Sequence, residues 1–571
     1  MASMVVLLRG VNVGGKNMIK METLRAILES LGLRDVQTYI QSGNAVCRAA
    51  KVSAGLAAKI EAAIEAECGF RPEVVVRSGE EWRAVIAANP FAGRDGVEPN
   101  KLHVHFLRGA PSGAGLENVP RRTNEEMHLV GREVFVYYPD GIGQTKITAA
   151  AFDKAVGTTN TARNWNTVMK LASMLMLFVA LAFGADYFPP PDAKGGWRTA
   201  SADKVGMSKA KLDEAFAYVE QTSQHGGLLV ARGGHLVYER YFGRGNREAL
   251  PELASCGKAF TSLATGIMLR EFASQFPHGL DEKIYSSKYL PEQYFPVDDS
   301  RKLQISLGQV LAMSAGLRGT NPVYVKGERQ TWENPTADNG PYSTTDDFAM
   351  KQSLWCDPGA CYSYSTSSSH VPAMIVRKIT GMEMEDYMRK RLTGPLGFGE
   401  WGYAMYRPKL KGGIDSNGRM LHTPGGGSIA VRATDMLRFG YLMLHEGRWG
   451  KQQVVPAEFA KMCGRLSPYN PHYSHSFNFN VNGDGHLQGV PRDAYWKGGS
   501  GGYAIYVVPS LDLVVWKLGG TESQYDPALT RLPVKYKYDG SRDGWKAGDA
   551  KVIGDATSRT LQMVVAAVGG K

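Results

Sequence analysis

Cysteine is scarce in this sequence, six residues in 571. That scarcity excludes a disulfide framework as the source of stability, so the fold must rest on packed cores. Only Cys356 and Cys361 lie close together, around Asp357-Pro358-Gly359; they either close a small loop in an oxidising compartment or remain two free thiols. A dense run of lysine and arginine with interleaved aromatics is also missing. The formal charge of +11 therefore reads as a diffusely basic surface, and no nucleic-acid partner is expected. His103 and His105 share one face of a strand but lack Cys, Asp or Glu at ligand spacing, so no metal site and no cofactor are expected. A full membrane span is lacking too. The most apolar stretch, Leu171 to Ala185, would cover about 22 Å as a helix, against a hydrocarbon core of roughly 30 Å.

What is present is ordinary globular composition, 43% hydrophobic and 21% charged, over a length that suggests about three or four folding units. The apolar stretch marks the clearest boundary. Met169-Lys170 precedes it, and Asp186 and Pro189-Pro190-Pro191 follow. Its length, the lysine and the Ala182-Phe183-Gly184 ending match a secretory signal peptide, which belongs at a chain's amino terminus and not in its interior. Three readings stay open: an internal signal anchor giving membrane attachment, a buried helix closing the first domain, or the scar of a gene fusion. As an anchor or export signal, with Arg163 and Lys170 upstream, it would leave the first domain in the cytoplasm and make the second periplasmic or secreted. Otherwise the whole chain is cytoplasmic. The expected division is 1–168, a connecting segment 169–194, and 195–571, in a multidomain α+β chain.

In the first part, apolar periodicity predicts strands at Val5 to Arg9, Val36 to Gln41, Ala45 to Arg48 and Glu73 to Arg77, with helices at Met21 to Leu31 and Leu56 to Cys68. The middle strands form a hairpin turning at Gly43-Asn44. This β-α-β-β-α-β order is ferredoxin-like. A less regular set follows: a helix at Glu80 to Ala88, strands at Leu102 to Leu107, Met127 to Val130 and Val134 to Tyr138, and a closing helix after Asn160. Two stacked, tandem ferredoxin-like halves are the expected architecture. Gly10 to Asn17 (GVNVGGKN) nearly spells a phosphate-binding loop, but Asn17 replaces the hydroxyl that would hold magnesium. A structural turn is the preferred reading, and nucleotide or nucleic-acid binding with a regulatory role is the alternative. Through LLRGVNVGGKNMIKM, TYIQSGNAV and ARNWNTVMKLASM, this part resembles the bacterial family called domain of unknown function 1697.

The second part carries chemistry. Ser255-Cys256-Gly257-Lys258 runs into an apolar helical stretch, and residues three apart on a helix face the same way, which sets an amine beside a hydroxyl. A serine hydroxyl is a weak nucleophile and needs a base, and a lysine can serve if its pKa is lowered. Tyr364-Ser365-Thr366 follows as a loop-borne phenol able to relay a proton. Lys497-Gly498-Gly499-Ser500 then leads into a strongly apolar hairpin. A strand there could offer the Ser500 amide, with that of Ser255, as an oxyanion hole. Two decoys accompany these elements. Gly498 to Gly502 spells the Gly-x-Ser-x-Gly elbow, but a hairpin follows it where the elbow needs a helix, so Ser500 reads as a strand residue and not as the nucleophile. His370 reads as a helix-start residue and not as a base. Tyr324, Trp332 and Tyr342 lie in a long loop that could wall a substrate pocket, or are plain surface aromatics.

Three elements in this order, with LLVARGGHLVYERYFG, ISLGQVLAMSAGL and PGGGSIAVRATDMLRFGYLML, make this part similar to the family of class C β-lactamases, DD-peptidases and related esterases. The resemblance implies an antiparallel sheet flanked by helices plus a helical subdomain. It also implies a serine hydrolase in which Ser255 is acylated, Lys258 and Tyr364 share the base role, and Lys497 orients the Tyr364 hydroxyl or a substrate carboxylate. Gly498, Gly499 and Thr366 would complete the substrate-binding set. Thr366 stands where the β-lactamases carry asparagine, and Gly498 replaces the threonine of Lys-Thr-Gly. Both departures favour a small ester or amide substrate over efficient β-lactam turnover. The competing reading is a non-catalytic binding module with this fold.

Overall fold

The computed structural model describes residues 2–49, 55–92, 94, 96–112, 115–182, 187–331, 344–403, 422–470, 472, 474–527, 536–545 and 550–569. The chain divides into two compact units, Met1–Asp186 and Tyr187–Lys571, where length alone suggested three or four. The second unit admits no further cut because one buried core runs through it from Trp197 to Leu518.

The first unit opens with β1 (Ala2–Leu8), α1 (Met21–Ser30), β2 (Arg34–Tyr39), β3 (Asn44–Ala49), α2 (Leu56–Cys68) and β4 (Val74–Ser78). Their antiparallel sheet has the order β2-β3-β1-β4. After α3 (Gly79–Ala87) come β5 (Leu102–Leu107), β6 (Glu126–Val130), β7 (Glu133–Tyr137), α4 (Ala149–Val156) and β8 (Asn160–Asn164), in a sheet ordered β6-β7-β5-β8. The same spatial order thus occurs twice. Strand β8 lies where the sequence pattern predicts only a helix, because Asn160-Thr161-Ala162-Arg163-Asn164 lacks apolar alternation. Arg163 instead holds it by donating to the Leu8 carbonyl at 2.8 Å and the Ser42 carbonyl at 3.0 Å, which satisfies a charge buried in the fold. His105 is a packing residue, between Asn160 Oδ1 at 2.8 Å and the Tyr138 hydroxyl at 2.9 Å; burial pushes its pKa down to about 4. In the GVNVGGKN loop, Asn12 donates to the carbonyls of Ile19 at 2.9 Å and Gln41 at 2.7 Å, fastening the turn across its base.

The apolar stretch after the first unit's strands begins as part of that unit. Helix α5 (Trp165–Ala182) buries Val168, Leu171, Ala172, Met174 and Leu175 beside Val5, Trp82 and Phe106. Trp82 stacks on Phe106 with centroids 4.7 Å apart and donates to the Val168 carbonyl at 3.1 Å. Among the described residues no helix is long and apolar enough to cross a membrane.

The second unit is built on a six-stranded antiparallel sheet. Its strands are β9 (Gly226–Arg232), β10 (His235–Phe242), β14 (Asn480–Val481), β15 (Tyr495–Gly499), β16 (Tyr503–Val508) and β17 (Leu513–Leu518), ordered β10-β9-β17-β16-β15-β14. The β9-β10 hairpin turns at Gly233 and Gly234, both left-handed, as the paired glycines predict. Helices α6 (Lys209–Thr222) and α10 (Ala550–Ala566) pack together, and α6 lies against β9; α9 (Ala433–Leu444) packs on β16 and β17. A second layer holds α7 (Gly257–Glu271) against α8 (Thr366–Thr380), beside a three-stranded sheet of β11 (Thr320–Val325), β12 (Glu328–Gln330) and β13 (Cys361–Tyr364). The first 12 residues of α7 are all buried, Lys258 among them. Cys356 and Cys361 form a disulfide at the entry to β13. Residues Tyr187 to Asp192, expected as a connecting segment, are fastened to the second unit. The Tyr187 carbonyl accepts from the Tyr441 hydroxyl at 3.1 Å, and Asp192 accepts from Thr434 at 2.7 Å.

The packing of α5 makes a direct prediction. Leu171→Ala is expected to lower the stability of the first unit by about 2–5 kcal/mol, the usual range for a buried leucine, read from urea unfolding; a change within error would mean that α5 is not part of that core.

Candidate active site

Ser255 sits in a 3-10 turn, Ala254–Cys256, immediately before α7. The turn is tightly determined. Ala254 adopts a left-handed φ of 48°, a conformation that costs a non-glycine residue roughly 1 kcal/mol or more and persists only when its surroundings impose it. Those surroundings are the Glu252 carboxylate, which accepts from the Ala254 amide at 2.8 Å, and the Ile429 carbonyl, which accepts from Leu253 N–H at 2.8 Å. Gly257 is required by contact: a Cβ there would lie 2.9 Å from the Gly427 Cα. The first turn of α7 then brings Lys258 Nζ to 3.1 Å from Ser255 Oγ and 3.3 Å from Thr366 Oγ1. The Gly426 carbonyl takes a further short hydrogen bond from the same ammonium.

Tyr364 ends β13, and Ser365 caps α8 by accepting from Ser368 N–H, so the strand-to-helix junction fixes the phenol. Lys497 reaches it from β15, with Nζ 3.4 Å from the Tyr364 hydroxyl. The Lys258 and Lys497 ammonium groups lie 5.1 and 5.0 Å from the centre of the Tyr364 ring. Burial alone would push the phenol's pKa up. The charges of Lys258 and Lys497, with hydrogen bonds from Ser255 and Lys258, outweigh burial and bring it down to about 7. A phenol so placed ionises near neutral pH, beside the one serine hydroxyl that Lys258 also holds.

Several parts of this arrangement were given no role from the sequence. The Gly425-Gly426-Gly427 loop is one. A Cβ on Gly426 would lie 2.5 Å from Thr366 Cγ2, and one on Gly425 would lie 2.5 Å from the Ser369 carbonyl, so only glycines let the loop present its carbonyl to Lys258. His370 secures the loop: its Nδ1 accepts from Gly425 N–H at 3.0 Å, which leaves Nε2 to donate to Asp346 Oδ1 at 2.9 Å. Burial would raise the Asp346 carboxyl, but His370 and Arg377 hold it well below the usual carboxylate range. His370 is therefore an interior residue of α8 with a structural task, not only a helix-start residue. Three consecutive glycines were the available signal for this loop.

Ser500 is exposed and lies in the turn just after β15, not within a strand. The strand pairing stops at Gly499 because Gly501 and Gly502 both take left-handed φ values, 94° and 91°. Gly499 allows the approach of β15 to the serine turn, since a Cβ there would come within 2.4 Å of the Leu253 carbonyl. A Cβ on Gly498 would instead make only an ordinary contact, with the Tyr503 carbonyl at 3.6 Å. Tyr324 stacks on His472 with ring centres 4.0 Å apart, next to Tyr362, whereas Trp332 and Tyr342 fall outside the described residues.

Comparison with known proteins bears on both units. The family model described as Beta-lactamase matches residues 214–524, more than half of the chain. The chain belongs to the beta-lactamase family. Residues 1–135 match the family described as Protein of unknown function (DUF1697). A curated relative from Salmonella schwarzengrund (strain CVM19633), named "Putative D-alanyl-D-alanine carboxypeptidase", is 24% identical over 267 residues, 42% of this chain; the chain spans 56% of that relative's length. Among solved structures, a penicillin-binding protein homolog from Caulobacter crescentus aligns with a TM-score of 0.42 at 14% identity, covering 63% of this chain and 99% of the other. An octameric penicillin-binding protein homologue from Pyrococcus abyssi aligns with a TM-score of 0.39 at 17% identity, covering 58% and 75%.

In this member of the beta-lactamase family the electrostatics of Tyr364 predict a pH effect. Lys497→Met removes one of the two charges that lower the phenol, so its ionisation should move upward from about 7 toward the ordinary 10. Ultraviolet difference titration checks this, and an unmoved transition would contradict the assignment.

Proposed function

We propose that the second unit is a serine hydrolase that works through an acyl-enzyme on a small ester, amide or β-lactam. The observation that carries this reading is geometric: Lys258 Nζ lies 3.1 Å from Ser255 Oγ, and Lys497 Nζ lies 3.4 Å from the Tyr364 hydroxyl, whose pKa their charges lower. As Ser255 Oγ attacks the substrate carbonyl carbon, its proton passes to the Tyr364 phenolate. The negative charge that forms on the carbonyl oxygen meets the backbone amides of Ser255 and Ser500, which act as the oxyanion hole. Tyr364 returns the proton to the leaving group, the carbonyl–leaving-group bond breaks, and water later attacks the acyl-serine by the same relay in reverse. Lys258 keeps Ser255 Oγ oriented, and Lys497 keeps the phenol ionisable. Gly498, Gly499 and Thr366 line the approach. Thr366, whose hydroxyl is already engaged by Lys258, is poorly suited to bind a substrate amide as an asparagine would. That favours esters over β-lactams.

The disulfide between Cys356 and Cys361 supports placing this unit in an oxidising compartment, outside the cytoplasm. For the first unit the repeated strand order supports two tandem ferredoxin-like halves, with no chemistry assigned.

Kinetics of two variants test the reaction. Ser255→Ala should lower p-nitrophenyl acetate hydrolysis by at least about 10³-fold, and Tyr364→Phe should lower kcat with little change in KM, as loss of a group acting in the transition state requires. Full activity in Ser255→Ala would end the proposal.

A further inference from the structure

One buried side chain joins the two turns that the scheme above places around the oxyanion. Gln524 lies in the short turn Glu522–Tyr525. Its carbonyl accepts from Glu252 N–H at 2.9 Å. Its Nε2 donates to the Ser500 carbonyl at 3.0 Å, to the Glu252 carbonyl at 3.2 Å and to the Glu252 carboxylate at 3.3 Å. Its Oε1 accepts from Thr521 N–H at 3.0 Å. Acceptors around one end of the amide and a donor at the other admit only this orientation. Glu252 carries the connection onward, since its Oε1 accepts from the amide of Ala254, the residue before the nucleophile, at 2.8 Å. The space for Gln524 is reserved: a Cβ on Gly501 would come within 2.2 Å of its Oε1.

We infer that Gln524 is a positioning residue for the oxyanion hole, a role that rests on the acyl-enzyme reading. The anchored groups, the Ser500 carbonyl and the Ala254 amide, each lie one peptide from an amide that faces the oxyanion. Both anchors run through the Gln524 and Glu252 side chains, so this pair sets the distance between the two donors. Oxyanion donors act by being fixed before charge develops, and a small displacement weakens them steeply. Gln524 is buried and its amide is taken up by Ser500, Glu252 and Thr521, so the loss of Gln524 should appear in the chemical step and not in ground-state binding.

The test uses the full chain, p-nitrophenyl acetate, and phenylboronic acid, whose tetrahedral adduct on Ser255 occupies the oxyanion site. Gln524→Glu keeps the shape but turns a carboxylate toward the Ser500 carbonyl and Glu252. It should lower kcat by about tenfold or more with KM within roughly twofold, and weaken boronate affinity in parallel. Gln524→Leu, which removes the hydrogen bonds without adding charge, should do the same. The double variant Glu252→Gln with Gln524→Glu restores a donor and acceptor between the two side chains while leaving the Ser500 carbonyl facing a carboxylate. Its melting temperature should recover while kcat and boronate affinity stay low. Variants with wild-type kcat and boronate affinity would overturn the inference, as would a double variant in which activity returns together with stability. A wild-type enzyme that forms no boronate adduct on Ser255 would overturn the acyl-enzyme reading, and this inference with it.

Discussion

Lys258 and Lys497 both reach toward Tyr364, and both are almost wholly buried, 1% and 2% exposed. Two ammonium groups in a low-dielectric interior repel each other and each loses hydration, a cost of several kcal/mol per ion unless an anion lies between them. The Tyr364 phenol lies beside both, and their charges draw its pKa down to about 7. Three chain segments far apart in sequence must meet within a few ångströms for this to hold: the start of α7, the end of β13 and the strand β15. Much of the local structure answers to that demand. Gly257, Gly426 and Gly499 sit where any side chain would collide with a neighbouring backbone or side chain, and Ala254 keeps a left-handed conformation beside the serine.

The parts of the site readable from sequence were those written as local spacing. Ser255 and Lys258 are three residues apart at a helix start, Tyr364 and Lys497 follow in a fixed order, and the family resemblance that this order carries implied their roles. What escaped were long-range contacts to backbone. The Gly426 carbonyl on Lys258, the His370 bond to Gly425 N–H and the Gln524 bridge to Ser500 join residues separated by tens to hundreds of positions, and a carbonyl or amide has no residue type to betray it. Ser500 shows the limit of pattern in another way: the apolar run resumes only at Tyr503, and the left-handed glycines between make a turn where strand was expected.

In the first unit most strands follow apolar alternation, but the hairpin expected to turn at Gly43-Asn44 turns over residues 40–43, with Asn44 already paired in β3, and β8 follows a buried arginine and polar pairing that no hydrophobic pattern reveals. The apolar stretch after Lys170 illustrates a physical ambiguity. Leucine, methionine and alanine in sequence satisfy a protein core and a lipid core equally well, and only the position of Leu171 and Leu175 against Val5 and Trp82 assigns the start of the stretch to the unit's own interior.

The proposed reaction requires that one serine be covalently modified in the course of turnover. Labelling the full chain with a fluorophosphonate, followed by digestion and mass spectrometric mapping, tests it most directly. A single adduct is expected, on the peptide bearing Ser255, with activity lost in proportion to labelling. An adduct on Ser500, or an active enzyme that resists labelling altogether, would contradict it.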